Sequence, residues 1–65
     1  MMQVMAIFDH DGKRSEVIQE QDGVYTVNFY QGQRWKHATE FKSYMEAVRV
    51  AENYAQTGRP QLLVD

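Results

Sequence analysis

The chain has 65 residues, a formal net charge of -2, 43% hydrophobic residues (five of them alanine) and no Cys. That length predicts one domain, 1–65, and the lack of Cys excludes a disulfide staple, a thiolate zinc site and a Cys nucleophile. No apolar run approaches the roughly 20 residues that cross a bilayer, and no basic-then-apolar start marks a secretory leader, so a small soluble cytoplasmic domain is expected.

Three turn signals punctuate the first forty residues: Asp11-Gly12, Asp22-Gly23 and Gln31-Gly32. Asp-Gly suits a two-residue hairpin turn, whose central positions take positive φ. The runs between the turns, 4–8, 14–19, 24–30 and 34–40, read as strands. A two-residue turn at Asp11-Gly12 pairs Met5 with Ile18 and Ile7 with Glu16. A similar turn at Asp22-Gly23 pairs Ile18 with Val27. Met5, Ile7, Ile18, Val27 and Phe29 then share one face. At Gln31-Gly32 a three-residue loop with a bulge is preferred, because it sets Trp35 beside Phe29 and His37 beside Val27 and buries the indole.

The helix has the clearest boundaries. Ser43 with Glu46 three residues later forms a capping box. Gly58 suits a left-handed cap, and Pro60 prevents continuation. Between them Tyr44, Met45, Ala47, Val48, Ala51, Tyr54 and Ala55 make a stripe at helical spacing, with Val50 outside it. The tail 61–64 is short and apolar enough for an edge strand.

The expected fold is therefore α+β. An antiparallel meander of three to four strands carries one C-terminal helix on one face, as ββββα or, with the tail strand, ββββαβ. The other sheet face would hold Val4, Ala6, Phe8, Val17 and Tyr30. That is more apolar than a solvent face should be, which makes Val4, Phe8, Val17 and Tyr30 a candidate protein-interaction surface. Leu, Ile, Val and Phe together number 14. A core that small gains from homodimerisation or a larger protein partner.

Chemistry-bearing groups are sparse. Asp9-His10-Asp11-Gly12 offers ligand types for a divalent metal but lacks the third acid and distant Glu of a calcium loop, so a polar turn is preferred. Glu16, Glu20 and Asp22 form no recognisable nucleophile–base arrangement. The expectation is a non-enzymatic chain with no metal or other cofactor, no membrane partner and no identifiable small-molecule substrate. The stretch 33–37 interleaves cations with an aromatic, and residues 33–65 carry a net of +1 against -3 for 1–32. Aromatic platforms flanked by cations hold single-stranded nucleic acid, so Tyr30, Arg34, Trp35 and Lys36 form an alternative site.

The run Gly23-Val24-Tyr25-Thr26-Val27-Asn28-Phe29-Tyr30, then Phe41-Lys42-Ser43, Glu46-Ala47-Val48, Ala51, Tyr54 and Gly58, resembles small uncharacterised proteins of bacteria and tailed phages. That resemblance implies the hairpin and capped-helix fold and no activity. The meander-then-helix order also resembles the coactivator-type single-stranded-DNA-binding proteins, which dimerise through their helices. The leading functional expectation is a protein–protein interaction module, with single-stranded nucleic-acid binding as the alternative.

Overall fold

The computed structural model describes residues 2–60. Four strands, β1 (Gln3–His10), β2 (Lys13–Gln19), β3 (Tyr25–Gln31) and β4 (Arg34–Phe41), form an antiparallel sheet in chain order, and helix α1 (Tyr44–Thr57) follows. This is the ββββα meander expected from the turn and cap signals. The proposed tail strand at 61–64 lies outside the described residues.

The first turn forms as its dipeptide dictates. Asp11 and Gly12 both take positive φ, 55° and 81°, so His10 pairs with Lys13 and Ile7 with Glu16. Further along, a bulge between Val4 and Ala6 replaces the expected Met5–Ile18 pair with Val4–Ile18.

The second connection departs from the two-residue turn. A 3-10 turn at Gln21–Gly23 lengthens it, and the Glu20 amide donates to the Val24 carbonyl at 2.8 Å. Val17 therefore pairs with Val27, and Ile18 pairs with Thr26. A shift of one residue sends every side chain of β2 to the opposite face. The physical reason is Glu16. The two-residue turn would place that carboxylate opposite Phe29 in the core, at a heavy desolvation cost. In the observed register Phe29 faces Ser15 instead.

The third turn has Gly32 and Gln33 at its centre, with Gly32 at φ 62°. Gly at the first central position suits a type II′ turn. The bulge comes later, between the Tyr30–Trp35 and Phe29–His37 pairs, and Lys36 is its extra residue.

Ser43 caps α1, its hydroxyl accepting from the Glu46 amide at 3.3 Å. Gly58 ends the helix in the left-handed region, and its amide donates to the Tyr54 carbonyl. The helix buries Ala47, Val50, Ala51, Tyr54 and Ala55. Val50 is thus a core residue, 5% exposed, whereas Met45 is 63% exposed. The spacing 47, 50, 51, 54, 55 is the ordinary apolar stripe of a surface helix, which corrects the reading that left Val50 out.

The core is a thin layer between α1 and one sheet face. Val17, Val27 and Phe29 supply the sheet side, and Ala6, Phe8, Tyr25 and Phe41 pack around them. Small helix residues let the backbones approach. The buried Ser15 hydroxyl donates to the Ala51 carbonyl at 2.6 Å, and the Tyr54 hydroxyl donates to the Tyr30 carbonyl at 2.9 Å. Phe29 lies between Tyr54, edge-on at 4.8 Å, and His37 at 4.7 Å. The helix lies chiefly over β2, with β1 and β3 beside it, and touches β4 least.

Candidate interaction face

The helix covers one side of the sheet, and no other element among the described residues packs on the opposite side. Cross-strand pairing arranges that open face in three rows. Asp9, Arg14, Tyr30 and Trp35 make the first, and Ile7, Glu16, Asn28 and Ala38 the second. Val4, Ile18, Thr26 and Glu40 make the third. Alternation along each strand forces this grouping once Ser15, Val17, Val27 and Phe29 point toward the helix.

Large apolar side chains stand in water here. Trp35 and Val4 are each 54% exposed and Ile7 50%. Polar groups between them hold one another. Arg14 Nη2 donates to Glu16 Oε2 at 3.1 Å, and the Tyr30 hydroxyl donates to Glu16 Oε1 at 3.3 Å. The Thr26 hydroxyl donates to Glu20. The Trp35 indole Nε1–H donates to Asn28 Oδ1 at 3.2 Å. Partial burial, then the neighbouring Glu16 charge and its hydrogen bond, push the Tyr30 phenol above its ordinary range, with Arg14 pulling the other way. Each of these contacts fixes a side chain that would otherwise rotate freely on the surface.

The sequence-derived interaction surface is split by this geometry. Val4 and Tyr30 lie on the open face. Val17 is fully buried beneath α1, and Phe8 packs against the same core. Met5, Ile7 and Ile18, expected in the core, do not enter it. Ile7 and Ile18 go to the open face because β2 is shifted by one residue against β3. The aromatic–basic site is split as well. Tyr30 and Trp35 meet as a cross-strand pair, and Trp35 is exposed rather than buried. Arg34 pairs with Gln31, which puts it on the helix side, and Lys36 sits in the bulge.

The wider acidic character was visible only as scattered letters. Asp9, Glu16 and Glu40 join Glu20 on this side, with Arg14 as the one cation among the residues of the three rows. An open pocket of about 360 Å³ at the Glu20–Glu40 end is lined by Met2, Glu20, Gln21, Val24 and Glu40. At the other end Asp9, His10 and Asp11 form the first turn. No group of three or more His, Cys, Asp or Glu able to hold a metal ion occurs among the described residues. Nor is any helix among them long and apolar enough to cross a membrane. No family model, curated protein or solved structure matches the chain.

Proposed function

We propose that the chain is a non-enzymatic protein–protein interaction module that acts in the cytoplasm and docks a larger protein through the open face of its sheet. One observation carries the reading. A thin helix-covered core coexists with Val4, Ile7 and Trp35 standing at least half exposed on the opposite face. Val4 and Ile7 stand at the β1 edge and Trp35 at the β4 edge, with the Arg14–Glu16 pair between them, and exposed apolar groups set among polar ones on a small domain mark a binding surface. Trp and Tyr are also the side chains over-represented among residues that dominate interface energy. The polar groups of the face engage one another, Arg14 and Tyr30 on Glu16 and Thr26 on Glu20.

A larger protein is favoured over a second copy. Two such faces brought together would set carboxylate against carboxylate, and like charges across an interface cost several kcal/mol. The decisive comparison is affinity capture from the native cell with the wild-type chain and with Trp35→Ala. A protein held by the first and lost by the second supports the reading. A mass in solution that doubles at high micromolar concentration and reverts in Trp35→Ala replaces it with a homodimer.

The second reading is single-stranded nucleic-acid binding, favoured by the exposed Tyr30–Trp35 pair as a stacking platform. Base–aromatic stacking is worth about 1–3 kcal/mol per base. The acidic surroundings oppose the phosphates. Quenching of Trp35 fluorescence by an oligonucleotide at low salt would establish this reading, and unchanged fluorescence would remove it.

A further inference from the structure

The open face has an electrostatic sign, and the sign constrains what can cover it. We infer that its partner is a cationic protein segment, with Lys or Arg side chains set around an apolar anchor. The inference rests on the interaction-module reading and adds the partner's chemistry.

Two places on the face supply complementary features. At one end Trp35 lies beside Tyr30 in a cross-strand pair. The Asn28 hydrogen bond already holds the indole, so little rotamer freedom is lost on binding. An apolar side chain packs on that pair, and a guanidinium stacks on its exposed ring face. At the other end, Met2 and Val24 wall a pocket that also presents Glu20 and Glu40. That combination matches a Lys or Arg side chain, whose alkyl stem takes the apolar walls and whose head meets the carboxylates. Thr26 marks the pocket row and Tyr30 the aromatic row. They are four residues apart on β3, about 13 Å along a strand. A partner segment must therefore present its anchor and a cation at about that spacing, as an extended chain does with residues four apart.

The charges left over argue the same way. Arg14 is already engaged by Glu16, so the carboxylates of the face exceed the free cations among them. An anionic polymer would meet repulsion there, which counts against nucleic acid. A cationic segment is steered toward the face, and salt weakens its association.

The test uses the intact chain and four labelled probes followed by fluorescence anisotropy. They are a peptide alternating Lys and Val around one Leu, its Glu–Val counterpart, a Lys–Ser peptide of equal positive charge, and oligo-dT. The inference expects the Lys–Val peptide alone to bind well. Weakening by about tenfold is expected separately from Trp35→Ala and from the pair Glu20→Gln with Glu40→Gln. Amide and indole shifts in ¹⁵N spectra should gather at Asn28, Tyr30 and Trp35, with each variant's folded spectrum otherwise retained. Equal binding of the Glu–Val peptide, still lost in Trp35→Ala, overturns the cationic partner and keeps the module. Equal binding of the Lys–Ser peptide, indifferent to Trp35→Ala, overturns the anchored site. Binding of oligo-dT alone, or of none of the four, overturns the inference; oligo-dT binding lost in Trp35→Ala also replaces the module reading.

Discussion

The indole Nε1–H of Trp35 donates to Oδ1 of Asn28 at 3.2 Å, although its cross-strand partner is Tyr30, two residues further along β3. The diagonal bond lays the indole over the open face and holds it there while more than half its surface meets water. An exposed aromatic normally samples several rotamers, so the contact gives the face a fixed landmark. In the free chain, Trp35 emission should resemble that of free tryptophan and be quenched efficiently by acrylamide. A blue-shifted, protected emission would place the indole in a core or a self-interface and contradict the structure. Asn28→Ala should leave the emission exposed while lowering its steady-state anisotropy, because the ring then moves.

The β2–β3 register makes a sharp mutational contrast. Val17→Ala removes two methyl-sized groups from a fully buried site, and should cost about 1.5 kcal/mol or somewhat more with the cavity it leaves. Ile18→Ala removes more atoms, but from a partly covered site on the open face where no enclosed cavity is left, and should cost less, about 1 kcal/mol. Urea midpoints of the two variants decide the matter. The reverse order would restore the two-residue turn at Asp22-Gly23.

That register also separates what was legible in the sequence from what was not. The four strands of the meander, the helix limits and the Asp11-Gly12 turn follow from local chemistry, and the structure has them. Facing is a tertiary property, set here by five residues, Glu20 to Val24, where a 3-10 turn substitutes for a dipeptide signal. Glu16 held the missing clue: it shares a face with Ile18, and a face bearing an uncompensated carboxylate opposite Phe29 is a poor core. Val50 is legible from spacing, since Ala47, Val50, Ala51, Tyr54 and Ala55 make the ordinary helical stripe, and centring the stripe on Tyr44 and Met45 hides it. The Tyr30–Trp35 pairing depended on where a bulge falls, and no residue type announces that.

Close approach of helix and sheet depends on Ser15 and Ala51. Ser15→Ala deletes the buried hydroxyl that reaches the Ala51 carbonyl, and should cost about 1 kcal/mol. Ala51→Leu should cost more, about 1–3 kcal/mol or beyond, because added methylenes force α1 away from β2. Thermal unfolding followed by circular dichroism checks both. An Ala51→Leu chain as stable as wild type would show that the layer between helix and sheet has slack.

Alkaline stability should report on Tyr30. Partial burial and the adjacent Glu16 carboxylate make its phenol hold the proton more tightly in the folded chain than in the unfolded one. Well below the ordinary phenol range, near pH 10, Tyr30 is neutral in both states and its contribution is fully present. As pH rises through that range the unfolded chain ionises first, and stability falls until the folded phenol has lost its proton too. Arg14 softens the effect because a cation favours the phenolate. Tyr30→Phe keeps the ring and removes the ionisation, so it should lose less stability than wild type as pH rises from about 9 to 11. Glu16→Gln should fall between the two, since it removes the charge but leaves an acceptor for the hydroxyl. Urea midpoints across that pH range give the comparison. Parallel curves for wild type and Tyr30→Phe would show that the Glu16 contact does not hold the proton.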